Sequence, residues 1–131
     1  MSLTIVLAIL FIHWVADFLF QDVEWANNKS KDNKALEYHV VTYSLIMMVG
    51  IMIIFSTIYN IFGTVLLGFA FFLITYICHY CIDYITSRIV AKKFAKKEYG
   101  TSIPNIGAFT VIGFDQFLHF TQLFLTYQLL T

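Results

Sequence analysis

The sequence predicts an all-α fold, a polytopic membrane four-helix bundle with a short interfacial amphipathic helix between helices three and four. Of the 131 residues, 60% are hydrophobic and only 12% are charged, and the mean hydropathy is +0.77. A soluble domain of this size needs more charge to cover its surface. The stretch from Val40 to Cys78 contains no Asp, Glu, Lys, Arg or His. It is long enough for two crossings of about 20 residues each.

The apolar runs predict four helices within one domain, residues 1–131. Tyr59, Asn60 and Gly63 supply a turn between the second and third helices. The predicted helices cover about residues 2–22, 35–58, 61–88 and 106–130.

The start of helix four depends on Pro104, because the residue before a proline avoids helix and favours an irregular turn at 101–105. A start only at Phe114 would leave too few residues for a comfortable crossing. We therefore expect a continuous helix that begins between Asn105 and Thr110.

All basic residues fall in two segments, one between helices one and two and one between helices three and four. They are Lys29, Lys31 and Lys34, then Arg88, Lys92, Lys93, Lys96 and Lys97. With four crossings, both segments lie on one side of the membrane, and the positive-inside rule makes that side cytoplasmic. Both termini are then expected outside.

The segment from Ile89 to Tyr99 interleaves apolar and aromatic residues with Lys92, Lys93, Lys96 and Lys97. This pattern suits a helix in the headgroup layer, with its apolar stems in lipid and its amines in water. The lysines either capture an anionic lipid substrate or anchor the chain to anionic lipid. We expect membrane lipids as partners and no nucleic acid. The sequence leaves open whether the protein forms a homo-oligomer.

The informative residues are ionisable side chains inside the apolar helices. They are His13, Asp17, His39, His79, Asp83, Asp115 and His119. Three pairs have i, i+4 spacing, which puts both side chains on one helix face. One helix can donate two ligands to a metal with this spacing, as in the H-E-x-x-H motif. Counted from the cytoplasmic helix ends, all lie in one layer about 8–14 Å deep.

Charged side chains at that depth are costly, and membrane helices keep them only where they contact a partner group or water. Hydrogen bonds between membrane helices contribute only about 0.6–2 kcal/mol each, which is a weak reason to keep so many ionisable groups. We therefore interpret the cluster as a site for one or two divalent metal ions, with an ion or proton relay and a structural network as alternatives. Nitrogen and oxygen ligands suit zinc, which we favour, or manganese or iron. Gln21 lies four residues after Asp17, Ser87 lies four after Asp83, and Gln116 is next to Asp115. They extend the polar stripe, either as hydrogen-bond partners of the ligands or as solvated neighbours.

The pattern resembles a known family. It consists of His13-x-x-x-Asp17-x-x-x-Gln21 with Trp25 and Lys29, then His39, then His79-x-x-x-Asp83, then Phe114-Asp115-Gln116-x-x-His119. These residues are similar to those of small bacterial and phage membrane proteins classed as a domain of unknown function (DUF3307-like). The resemblance covers nearly the whole chain and implies a bacterial cytoplasmic membrane. A weaker similarity is to membrane-bound metal-dependent hydrolases.

The leading hypothesis is a metal-dependent hydrolase that acts on a lipid or lipid-linked substrate at the cytoplasmic leaflet. Asp17 or Asp83 is the expected general base. The alternative is a non-enzymatic membrane protein whose cluster is structural and which acts by binding a partner. An ion carrier would need a polar path to the outer face, and helices two and three contain none there.

Overall fold

The structure, a computed structural model, describes residues 1–100, 102 and 104–131. Over these residues the chain is helical and contains no strand, so the all-α prediction is confirmed. The elements are α1 (Leu3–Trp14), a π-helical turn (Val15–Leu19), α2 (Val23–Asn28), α3 (Asn33–Phe55), α4 (Ile61–Ala95) and α5 (Ala108–Leu130).

Side-chain caps mark four of the helix starts. Ser2, Asp22, Asp32 and Asn60 each accept a hydrogen bond from a backbone N–H in the first turn of the helix that follows. Such caps satisfy donors that have no partner within the helix. They also explain why α2 and α3 begin where they do, directly after aspartates in a polar segment.

α3 lies against α1, α2 and α4, and α4 also packs against α5. We call the end of the bundle that carries residues 20–34 and 88–100 the basic end, since all lysines and the arginine lie there. The other half holds the apolar core, which includes Met47, Ile51, Phe55, Phe71, Leu123 and Tyr127. The bundle thus has an apolar layer and, nearer the basic end, a polar one.

Within the described part of the chain, two helices, α3 and α4, are long and apolar enough to cross a membrane. The first apolar helix, residues 3–19 with its π-helical turn, is shorter. α5 has 23 residues and begins at Ala108 after an N-cap at Gly107. The predicted turn at 101–105 includes positions 101 and 103, which lie outside the described residues.

The separate interfacial helix predicted between helices three and four is wrong. α4 continues to Ala95, because no glycine or proline interrupts the sequence between Ser87 and Tyr99. Its 35 residues extend about 52 Å at 1.5 Å per residue, well beyond the roughly 30 Å hydrocarbon core of a bilayer. Lys92 and Lys93 therefore lie on the last turn of a long helix, and Lys96 and Lys97 follow its end. Lys97 and Gly100 have positive φ where the chain leaves the helix.

Two elements were not expected from the sequence. α2 lies in a segment predicted as a loop, where Asp22 caps it. The π-helical turn closes with a hydrogen bond from the Phe20 N–H to the Val15 carbonyl, 3.0 Å, which spans one residue more than in an α-helix. It carries Asp17.

Candidate functional site

The predicted polar side chains of four helices come together in the layer next to the basic end. They are His13 and Asp17 from the first helix, His39 from α3, His79 and Asp83 from α4, and Asp115 and His119 from α5. Six of them are buried, and the side chain of Asp115 is 14% exposed. π-Helical turns are frequent at functional sites, and here one carries Asp17.

Two overlapping groups of three side chains could each hold a metal ion, Asp17 with His39 and His79, and His79 with Asp83 and His119. In the first group, His39 Nε2 lies 3.2 Å from His79 Nε2 and 3.3 Å from Asp17 Oδ1. In the second, Asp83 lies 3.6 Å from His79 Nε2 and 3.3 Å from His119 Nε2. His79 belongs to both groups.

These distances fit atoms that share one metal ion. Tetrahedral zinc, with bonds of about 2.0–2.1 Å, holds its ligand atoms about 3.3–3.4 Å apart. His39 Nε2 also lies 3.1 Å from Asp83 Oδ2, which joins the two groups into one continuous set of donors. Imidazole nitrogens and carboxylate oxygens are ligands that zinc, manganese and iron all accept. The residues present therefore fit a divalent cation.

Aromatic stacking orients the rings of His79 and His119. The ring of His79 lies between those of Tyr43 and His119, with centroid distances of 3.8 Å and 4.1 Å. Both Nε2 atoms consequently face the aspartates. The Nδ1 atoms of His79 and His119 are buried and have no hydrogen-bond partner among the described residues.

His13 lies beside these groups and belongs to neither. Gln116 Nε2 donates to Asp17 Oδ2 and Asp115 Oδ2, each at 3.2 Å, which fixes the orientation of the amide because carboxylates only accept. Gln116 Oε1 then accepts from His13 Nε2 at 2.9 Å, and His13 Nδ1 accepts from the Tyr43 hydroxyl at 2.7 Å. Both nitrogens of His13 are thus engaged in hydrogen bonds, and its role as a ligand stays a prediction.

Asp115 lies at the edge of the second group. Its Oδ1 is 3.4 Å from His119 Nε2 and accepts a hydrogen bond from Thr86 Oγ1 at 2.6 Å. With Oδ2 bound to Gln116, the carboxylate connects α4 and α5 beside the histidines. Its role as a metal ligand also stays a prediction.

Lys29 reaches into the cluster from the segment that follows α2. Its Nζ donates to Asp83 Oδ2 at 2.7 Å and lies 3.4 Å from His39 Nε2. Burial by itself lowers the pKa of the Lys29 ammonium, but the carboxylates of Asp83 and Asp17 outweigh burial and hold the pKa above its usual value. The ammonium therefore stays charged at neutral pH.

The formal charges of the cluster leave room for a divalent cation. Asp17, Asp83 and Asp115 contribute three negative charges, and Lys29 contributes one positive charge. With neutral imidazoles the remainder is two negative charges, which a divalent ion would balance. Uncompensated buried charge is costly, so some further cation or bound protons must accompany these carboxylates.

A cavity of about 360 Å³ leads from the basic end to the carboxylates of Asp17, Asp83 and Asp115. Gln21 and Ser87 line it, but Gln21 Oε1 and Ser87 Oγ have no hydrogen-bond partner among the described residues. Of the three predicted neighbours, only Gln116 hydrogen-bonds a candidate ligand. The i, i+4 argument does not apply to Gln21, because the helix has ended before it. Ser87 lies on the cavity wall one turn beyond Asp83.

The sequence prediction missed Tyr43, Lys29 and Thr86 as parts of the site. Tyr43 follows His39 by four residues and Thr86 follows Asp83 by three, so helix periodicity could have placed both on the polar faces. Lys29 was named within the basic segment and the family pattern but without a role in the site, and helix periodicity could not place it in the cluster, because it follows the short helix α2.

Comparison with known proteins gives a family but no activity. No curated protein and no solved structure matches the chain. A family model described as "Protein of unknown function (DUF3307)" matches residues 5–131. Since this match covers nearly the entire sequence, the chain belongs to the DUF3307 family.

Proposed function

We propose that the chain is a membrane protein of the bacterial cytoplasmic membrane that binds one or two divalent cations, zinc foremost, at its His/Asp cluster. We further propose that it hydrolyses an ester, amide or phosphoester bond of a lipid or lipid-linked substrate at the cytoplasmic leaflet. One observation carries the proposal. The donor atoms of Asp17, His39, His79, Asp83 and His119 converge at 3.1–3.6 Å beside a cavity that opens at the basic end.

Asp17 is better suited than Asp83 to act as general base. A divalent cation in the cluster would polarise the scissile group and lower the pKa of a bound water molecule. Asp83 is already surrounded by Lys29 and three histidines. Both aspartates line the cavity that a substrate would enter, but Asp17 has less crowded oxygens, with Oδ1 against His39 and Oδ2 against the Gln116 amide. A base must reach the proton that it abstracts, and this position allows it.

A second function rests on a different observation. A histidine that binds metal usually donates its other ring N–H to an acceptor, whereas Nδ1 of both His79 and His119 has no partner among the described residues. If both rings carry their proton on Nε2, they donate to the aspartates and the cluster is a hydrogen-bonded network with Lys29 as its cation. The protein would then act by binding a partner.

Elemental analysis of the protein purified in mild detergent tests the metal. We expect one or two divalent ions per chain in the unaltered protein and less than half of that in His79→Ala and His119→Ala. Metal that binds only the folded state stabilises it by about 2.7 kcal/mol at about 100 times the Kd. Both variants should therefore also unfold at a lower temperature. The control is Cys81→Ala, since Cys81 is exposed on the same helix.

Wild-type metal content in both histidine variants would contradict the site. Protein without metal would favour the hydrogen-bonded network. Hydrolysis is tested by incubating metal-loaded protein with vesicles of phosphatidylethanolamine and phosphatidylglycerol and analysing the lipids by mass spectrometry. The absence of any hydrolysis product would refute phospholipid hydrolysis while leaving the metal site in place.

A further inference from the structure

An open apolar groove of about 820 Å³ separates α4 and α5 near the basic end. Its walls are almost entirely hydrocarbon and include Ile82, Ile85, Ile89, Val111, Phe114 and Leu118. Ile85 is 59% exposed and Phe114 is 56% exposed, so the groove faces outward from the bundle. In a bilayer, this surface would face the lipid.

Thr86 forms the wall between this groove and the polar cavity, since it lines both. It is 6% exposed, and its hydroxyl donates to Asp115 Oδ1 at 2.6 Å. Asp115 Oδ1 is in turn 3.4 Å from His119 Nε2. A single layer of side chains thus separates the apolar groove from the candidate metal ligands.

The groove also ends at positive charge. Lys93 lines it and forms an ion pair with Glu98 at 2.6 Å, with both side chains partly exposed. Lys92 directly precedes Lys93 on the last turn of α4, and Lys96 and Lys97 lie just beyond the helix. An apolar slot with a basic rim matches an amphiphile that has a hydrocarbon chain and an anionic head.

We propose that the groove between α4 and α5 holds an acyl chain of an amphiphilic substrate, whose head reaches the polar cavity past Thr86. The inference rests on the proposed function and deepens it, since it assigns the substrate to the acyl lipids. The acyl chain enters from the side, within the leaflet, while the lysines attract the anionic head toward the basic end, where the polar cavity opens.

The test is photolabelling with a phosphatidylglycerol that carries a diazirine in the middle of one acyl chain. The full-length protein is reconstituted in phosphatidylethanolamine vesicles that contain this probe. After irradiation, mass spectrometry of peptides should find the label concentrated on residues 82–89 and 106–118. Label spread evenly around α4, or groove residues left unlabelled as a second copy seated there would leave them, would overturn the proposal.

A matched pair of variants sharpens the test. Ile85→Trp fills the groove, whereas Ile77→Trp adds the same ring two turns earlier on the same helix, outside the groove and at an equal exposure of 59%. Because the indole takes volume that the acyl chain would occupy, we expect about a tenfold loss of groove label in Ile85→Trp. Label at residues 106–118 should stay unchanged in Ile77→Trp. Equal losses in the two variants would refute specific binding.

Labelling needs neither metal nor turnover, so it separates this inference from the proposed function. Specific label without metal or hydrolysis would support the lipid groove and reject the hydrolase. Metal and hydrolysis without specific label would reject the groove alone. If Ile85→Trp fails to fold, Ile89→Trp is a second variant that narrows the groove. The peptide map of the unaltered protein tests the proposal without any variant.

Discussion

Among single residues, Lys29 and Asp83 decide how the cluster balances its charge. Their 2.7 Å contact buries an ammonium that is 20% exposed against a carboxylate that is 2% exposed. Removing one partner of a buried ion pair typically costs about 3–5 kcal/mol, because the other charge stays buried without compensation. A divalent cation at the neighbouring donors would supply that compensation instead.

We therefore predict that Lys29→Met destabilises the protein more in chelator than in excess zinc. In chelator, the loss in free energy of unfolding should approach the value for a broken buried ion pair, about 3–5 kcal/mol. It should be somewhat smaller than that because Lys29 is partly exposed. In zinc, the loss should be clearly smaller. The measurement is the unfolding midpoint of each variant in detergent under both conditions.

Lys31→Met is the matched control, since Lys31 is exposed two residues further along the same segment. It should change the midpoint little in either condition. An equal loss for Lys29→Met with and without zinc would mean that the cation does not share the charge of Asp83.

The candidate site could be predicted where helix periodicity places residues, and only there. His79 and Asp83 are four apart on one continuous helix, and their side chains do lie on one face, 3.6 Å apart. Gln21 was extrapolated by the same rule across a π-helical turn, which no feature of the sequence signalled. Lys29 depends on the path of an irregular segment, which sequence periodicity does not describe.

At the scale of elements, the connection from α4 to α5 depends on close backbone approach. The Ala108 N–H donates to the Glu98 carbonyl at 2.8 Å, and the Phe109 N–H donates to the Tyr99 carbonyl at 3.3 Å. A Cβ atom on Gly107 would collide with the backbone of Tyr99 and Gly100. This approach sets where α5 starts and hence the depth at which its polar residues meet those of α4.

We predict that Gly107→Ala destabilises the protein by about 1–3 kcal/mol, the usual cost of overpacking that shifts backbone. Gly113→Ala is the control within α5, because nothing lies within 4 Å of its Cβ position. There the change should be neutral or stabilising by up to about 1 kcal/mol, as alanine favours helix over glycine. Chemical denaturation in detergent measures both, and a tolerated Gly107→Ala would contradict the tight connection.

The all-α class could be predicted from composition, but the prediction of a separate interfacial helix was wrong. Lysines among apolar residues suggested a helix that lies in the membrane surface, and amphipathic composition cannot tell that arrangement from the last turns of a long upright helix. The deciding feature was the lack of a helix breaker between Ser87 and Ala95, which lets α4 continue.

For the whole molecule, the main asymmetry is between its two ends. All lysines and the arginine lie at the basic end, where the cavity, the groove and the cluster also lie. The turn between α3 and α4, from Ser56 to Asn60, carries no charge. If the bundle spans a membrane, the positive-inside rule puts the basic end in the cytoplasm, so that substrate and metal would both arrive from that side.

The topology can be checked by cysteine labelling in intact cells. In a Cys78→Ala, Cys81→Ala background, Thr57→Cys should react with an impermeant maleimide, because Thr57 lies exposed in the turn between α3 and α4. Lys31→Cys, exposed at the basic end, should react only after the cells are permeabilised. The reverse pattern would place the cluster and its cavity on the outer side of the membrane. Labelling of both positions in intact cells would mean that the bundle does not span the membrane with its basic end inside, because positive-inside insertion keeps Lys31 on the cytoplasmic side.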